Sequence, residues 1–169
     1  MATYTLISSQ VLGSSAASVT FSSIPQTYKD LVLRCSARSD AAVITDFLTL
    51  QFNTDSAGSA YSYTNAQGNG ASAQSGNGVS VSPTRIGVVN GASSTTSTFC
   101  TCELYIPVYT TSQNKPSSGF SATENNATTA VVTANAYLWR NTSSINQIIL
   151  RTENAANFVT GSSFYLYGI

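Results

Sequence analysis

Histidine is absent from the sequence, and only 8 % of its residues are charged, against about 25 % in an average soluble domain. Each shortage removes a class of chemistry. Without imidazole there is no His-based general base, proton shuttle or zinc ligand, and the usual serine and cysteine triads are excluded. Seven Lys and Arg balance seven Asp and Glu. The chain therefore has no basic field to displace counterions from nucleic acid or to hold an anionic membrane surface, and neither is an expected partner. Apolar runs are short of the roughly 20 residues of a spanning helix. The N-terminus, Met1-Ala-Thr-Tyr-Thr-Leu-Ile, lacks the basic segment and apolar stretch of a secretory signal. A soluble chain made in the cytoplasm is expected.

Three cysteines, Cys35, Cys100 and Cys102, form an odd set without CxxC spacing, which fits reduced thiols better than a disulfide framework. On a strand, Cys100 and Cys102 share a face with Leu104 and Ile106, so core packing is their expected role. The carboxylates Asp30, Asp40, Asp46, Asp55, Glu103, Glu124 and Glu153 are scattered. No two stand where a glycosidase pair would share a strand face, and caps, turns and solubility account for them, with Glu103 on an outer strand face and Asp46 ahead of a strand. The Gly-Asn-Gly steps at 68–70 and 76–78 lack the helix and the Lys-Ser/Thr of a phosphate cradle. Asn53-Thr-Asp55-Ser-Ala-Gly58 is oxygen-rich like a calcium loop but lacks the other acidic ligands, and reads as a hairpin turn. The sequons Asn126-Ala-Thr128 and Asn141-Thr-Ser143 are expected by chance in so much Asn, Ser and Thr. No catalytic residue, cofactor or metal is expected, and the chain reads as a non-enzyme.

What is abundant is short, neutral and polar: 27 Ser, 22 Thr and 13 Asn beside 42 % hydrophobic residues. Ser, Thr and Asn bond to nearby backbone and favour strands, turns and caps over helix interiors. Period-two alternation recurs throughout. In Asp30 to Ala37, Leu31, Leu33, Cys35 and Ala37 face one way, while Val32, Arg34, Ser36 and Arg38 face the other, with the arginines on the wet side. Phe47 to Asn53 points Leu48, Leu50 and Phe52 inward. Thr98 to Ile106, closed by Pro107, does the same with Cys100, Cys102, Leu104 and Ile106. Val132 to Trp139, Ile145 to Arg151 and Phe164 to Tyr167 follow, with shorter candidates at Thr5 to Ile7, Ser18 to Phe21, Val79 to Val81, Arg85 to Val89 and Gly119 to Ala122. About eight to eleven strands predict a single domain over 1–169, all-β, an antiparallel β-sandwich of jelly-roll type, with an immunoglobulin-like sandwich as the nearest competitor.

Between Asp55 and Ser80 a tract of Gly, Ser, Ala and Asn reads as a long surface loop, and loops of that length are functional or mobile. Tyr61 and Tyr63 within it are candidate recognition residues, with packing on a sheet edge as the plainer account. Thr110 to Ser118 reads as a plain connection. Trp139-Arg140 sits at a strand end, suited to rim packing or to stacking of arginine on indole. The C-terminal Ser-Phe164-Tyr-Leu166-Tyr-Gly-Ile169 is apolar to its last residue. It predicts a strand in mid-sheet or in a subunit interface, with Tyr165, Tyr167 and Ile169 opposite Phe164 and Leu166 and available to a neighbouring copy.

Two segments carry a resemblance. Phe21-Ser-Ser-Ile-Pro-Gln-Thr-Tyr28-Lys-Asp-Leu-Val-Leu-Arg34-Cys-Ser-Ala-Arg38-Ser lies near the start. Leu138-Trp-Arg-Asn-Thr-Ser-Ser-Ile145 leads to Asn157-Phe-Val-Thr-Gly-Ser-Ser-Phe164-Tyr-Leu-Tyr-Gly-Ile169 at its end. They resemble a group of tailed-bacteriophage virion proteins that share an F-x-x-I-P opening, an L-R…A-R-S strand, a W-x-N-T-x-x-I turn and a G-S-x-F-x-L-Y-G-I finish. The middle third, Asp55 to Thr98, is unmatched. The resemblance implies a structural virion part without catalytic residues. With no shaft, collagen-like repeat or head-binding segment in the chain, it implies a capsid decoration or cement protein, a homotrimer bound to the phage major capsid protein. A tail-fibre or tail-tip receptor- or glycan-binding module is the alternative, with Tyr61, Tyr63 and Trp139 as its stacking rings.

Overall fold

The computed structural model describes residues 3–125 and 129–169. Within them there is no helix, and twelve strands account for the regular structure. They are β1 (Thr5–Val11), β2 (Val19–Phe21), β3 (Leu31–Ser36), β4 (Thr45–Phe52), β5 (Tyr61–Gly68), β6 (Ala73–Val81), β7 (Thr84–Asn90), β8 (Thr101–Ile106), β9 (Lys115–Thr123), β10 (Val131–Trp139), β11 (Ile148–Thr152) and β12 (Ser163–Gly168). Eight form one sheet, in the order β1-β12-β3-β8-β9-β10-β5-β6, and four form the other, β2-β11-β4-β7. All pairings within the sheets are antiparallel. The two sheets pack face to face, as an all-β sandwich requires.

The chain winds regularly between the layers. β1, β3, β8 and β12 lie in the large sheet, and β2, β4, β7 and β11 in the small one. Apart from the β4-to-β7 pair, successive members of this set of eight change sheet. The β5–β6 hairpin and the β9–β10 hairpin are both added to one side of the large sheet, beyond β8. Leu31, Leu33, Leu48, Leu50, Leu104, Ile106, Leu150, Phe164 and Leu166 supply much of the apolar filling between the sheets, each at most 1 % exposed. Apart from Leu150 of β11, these are the inward positions that alternation predicts for β3, β4, β8 and β12. Cys35, Cys100 and Cys102 are free thiols within the same core.

Several expectations need correction. The predicted 55–80 loop is largely the β5–β6 hairpin, closed by a turn in which Asn69 Oδ1 accepts from the amides of Ala71 and Ser72 at 3.0 and 2.8 Å. The predicted 110–118 connection ends inside β9. There Lys115 is fully buried, and its Nζ donates to the Thr111 carbonyl at 2.7 Å and to the Gln113 carbonyl. Arg38 is also buried. Its guanidinium donates to the carbonyls of Ala92, Ser94, Thr95 and Thr98 and to Thr98 Oγ1, at 2.7–3.3 Å, and so gathers the loop before β8. Asp46 lies inside β4, fully buried, accepting from the Phe47 amide and Asn154 Nδ2, both at 2.7 Å.

The segments that carry the resemblance meet in space. Ile169 exchanges backbone hydrogen bonds with Asp30 and accepts one from Lys29. The Tyr28 ring lies on Gly168, where an added Cβ would come within 2.2 Å of it. The Ile24 amide donates to Asn146, Gln26 Nε2 to the Ile145 carbonyl at 3.0 Å, and Tyr109 OH to the Pro25 carbonyl. Gly168→Ala is expected to cost about 1–3 kcal/mol through overpacking. It should cost less in a Tyr28→Ala background, and a thermal-melting double-mutant cycle checks this.

Candidate functional site

The outer face of the large sheet is the first candidate. Side chains that share it fall in rows across the strands: Leu6, Tyr167, Val32 and Tyr105 in one, and Ser9, Tyr165, Arg34, Glu103, Phe120, Ala134 and Ala66 in the next. Leu6, Tyr105, Phe120 and Val132 are exposed there, as is Val11 at the end of β1. Tyr4 meets the Tyr167 ring edge-on at 6.1 Å. Among the strand residues that point this way, the charges are Arg34 and Glu103. They neutralise each other at 2.7 Å, and the guanidinium sits 5.0 Å from the Tyr4 ring centre and 5.8 Å from that of Tyr167. The face is therefore broad and carries no charge outside one pair.

The expected interface residues divide. Tyr165 and Tyr167 are half-buried on this face, and Ile169 is half-buried beside Asp30. Tyr63 is half-buried on the opposite, inner side of β5. Tyr61 is not a recognition residue: it is 1 % exposed, and its hydroxyl accepts from the Phe52 amide at 2.8 Å. Trp139 is equally buried, stacked on Tyr61 at 6.4 Å and tilted against Phe52 at 5.4 Å. Arg140 does not stack on the indole, since its guanidinium donates to the carbonyls of Ser59 and Tyr61. Large rings in a glycine-rich tract signal recognition to a sequence reader, whereas here they close one end of the core.

No protein-family model, curated protein or solved structure matches this chain.

The oxygen-rich turn at Asn53–Gly58 has a structural task. Asp55 Oδ2 accepts from Trp139 Nε1 at 2.8 Å and from Asn141 Nδ2 at 3.2 Å, while Oδ1 accepts from the Ala57 amide. The sequon at Asn141 is thus engaged in the fold; the one at 126–128 lies outside the described residues. Among the described residues no cluster of His, Cys, Asp or Glu is placed to hold a metal. Burial pushes the Cys100 thiol up to about 12. The bond to Cys102, followed by burial, raises Cys35 well above its usual value. A thiol held protonated in this way is a poor nucleophile.

The second candidate is a cleft that the sequence did not reveal. The large sheet extends past the small one, and the inner face of β10, β5 and β6 looks onto β7 and Phe47 across a gap of about 230 Å³. Its lining includes Tyr63, Asn65, Gln67, Gln74, Asn135 and Arg85. The signal that could have found it is the Tyr-x-Asn-x-Gln alternation at 63–67, which places three polar or aromatic side chains on one strand face.

Burial works to raise the Asp55 pKa, but the bonds from Trp139, Ala57 and Asn141 outweigh it and leave the carboxyl below its ordinary 3.8. A depressed carboxylate contributes stability that is fully present above 3.8 and is lost as pH falls through the folded value. Asp55→Asn is therefore expected to melt below the wild type at pH 7. The gap in melting temperature should close as the pH is lowered through that window.

Proposed function

We propose that this protein is a bacteriophage virion structural protein. It acts as a capsid decoration or cement protein that binds the major capsid protein through the outer face of its large sheet and stabilises the head shell, most simply as a homotrimer. One observation carries the reading. Of the nine exposed large hydrophobic side chains among the described residues, Tyr4, Leu6, Val11, Val79, Tyr105, Phe120 and Val132 belong to β1, its lead-in and the outward side of the large sheet. Isolated exposed apolar residues need no explanation, but a gathering on one face whose single ion pair is self-neutralised suits an interaction surface. Eight strands give a face about 35 Å wide and about 20 Å long, on the order of 700 Å², close to the roughly 800 Å² that each partner contributes to a standard interface. Aromatic anchors with a neutral hydrogen-bonding surround suit such an interface without any net charge.

The sequence resemblance supports the same reading, and its segments meet in the fold where Ile169 bonds to Lys29 and Asp30. The alternation of the eight core strands between sheets is read as a jelly roll, with two hairpins added to one side. A tail-tip receptor module is the second reading. It loses Tyr61 and Trp139 as stacking rings and keeps Tyr63.

Quantitative gels of purified virions test the assignment. A copy number comparable to that of the major capsid protein is expected, while a few copies per particle, or labelling confined to the tail, would overturn the head role. Phe120→Glu with Val132→Glu should leave the melting temperature within the small range of surface substitutions. The same pair should abolish binding to shells stripped of this protein, as read by co-sedimentation.

A further inference from the structure

The cleft at the overhang of the large sheet has a lining that the docking role does not use. Its floor is a grid fixed by strand register. Tyr137, Tyr63 and Gly78 form one row, Asn135, Asn65 and Gly76 the next, and Thr133, Gln67 and Gln74 the third. The two glycines are needed for it. A Cβ at Gly78 would come within 2.4 Å of the Tyr63 ring, and one at Gly76 within 3.0 Å of Asn65 Oδ1. Bare backbone on β6 therefore lets the Tyr63 ring and the Asn65 amide lie across it. The facing wall is Phe47, Arg85, Gly87 and Val88, with the Arg85 guanidinium 4.1 Å above the Phe47 ring centre.

The chemistry of this lining is selective. Four side-chain amides, Asn65, Gln67, Gln74 and Asn135, each offer a donor and an acceptor. Gln67 donates to Gln74 Oε1 at 2.8 Å, and Asn135 donates to Thr133 Oγ1 at 2.9 Å. These bonds orient the amides and leave Gln67 Oε1, Gln74 Nε2 and Asn135 Oδ1 for a ligand. Arg85 is the charged group in the lining, and Glu153 already neutralises it at 2.6 Å. An anion gains little there, and an apolar molecule would leave the amides unpaired at a cost. A molecule with adjacent hydroxyl groups and an apolar face matches both features.

We infer that this cleft binds one ring of a neutral oligosaccharide, its C–H face on Tyr63 and its hydroxyls paired with the four amides. The volume is below the roughly 300–1,000 Å³ of drug-sized sites, which fits one ring of a longer glycan. Tyr63, Asn65 and Gln67 lie on the opposite face of β5 from Ser62, Thr64 and Ala66. The cleft thus stays open when the outer face is covered, and the inference stands or falls separately from shell binding.

The test is amide-resolved NMR of the full chain titrated with cellotriose, maltotriose and mannotriose, and with tri-galacturonate as an acidic control. At least one neutral trisaccharide is expected to give saturable shifts in the side-chain amides of Asn65, Gln67, Gln74 and Asn135. Asn65→Ala and Gln74→Ala should each weaken binding about fivefold, the loss of one neutral hydrogen bond, with melting unchanged. Phe120→Glu should bind as the wild type does. A flat response to all three neutral sugars, a preference for the galacturonate, or shifts indifferent to both cleft variants would overturn the inference.

Discussion

An eight-stranded sheet with only four strands packed on its inner side has to satisfy the uncovered part of that side in some other way. Over β12, β3 and β8 the small sheet supplies the cover, and the inner residues are mostly Leu, Ile, Phe and Cys. Over β9 and β10 the cover is the edge strand β7. The contact turns polar there: Ser121 Oγ bonds to the Val88 amide at 3.0 Å and to Thr133 Oγ1 at 2.7 Å. Gly87 makes this approach possible, because a Cβ there would meet the Ser121 side chain at 2.7 Å. Over β5 beyond Tyr61, and over β6, β7 stands off across a gap, and amides and a tyrosine line an open cleft. The grading from apolar to hydroxyl to amide follows the loss of cover, as the cost of unpaired buried polar groups requires.

Scarcity of charge shapes the surface in the same way. With fourteen ionisable Asp, Glu, Lys and Arg residues in 169, several are spent inside the fold. Arg38 and Lys115 gather loop carbonyls, Asp55 holds Trp139, and Asp30 accepts from Tyr105 OH and the Val108 amide. Arg34 with Glu103 and Arg85 with Glu153 cancel in place. The exposed remainder, Lys29, Asp40, Glu124, Arg140 and Arg151, is sparse and of mixed sign, so the surface favours recognition by shape, apolar contact and hydrogen bonding over long-range attraction.

The strands that bury large apolar residues on one face were legible in the sequence, because Leu31, Leu33 and Cys35, or Leu48, Leu50 and Phe52, alternate with a period of two. The overhang was not, for the same physical reason. β5 and the first part of β6 alternate amides and aromatics with Ser, Ala and Gly, so no apolar face marks them as strands, and only Val79 to Val81 at the end of β6 was legible. β10 inverts the usual cue, since its buried side carries Thr133, Tyr137 and Trp139 while Val132 is exposed. Arg38 also escaped, because alternation places it on the wet face while the loop at 91–98 folds over it. The outer-face position of Tyr165 and Tyr167 was readable from the C-terminal alternation, whereas the cleft depended on register between distant strands.

The central claim is that one sheet works with two faces, the outer one covered by a shell and the inner overhang left open. Radical footprinting of the free protein and of assembled virions measures both faces at once through their aromatic rings. The account predicts that Tyr105, Phe120, Tyr165 and Tyr167 lose labelling on the particle while Tyr63 keeps it. Equal labelling of the outer-face rings in the two states, or protection centred on Tyr63, would contradict it.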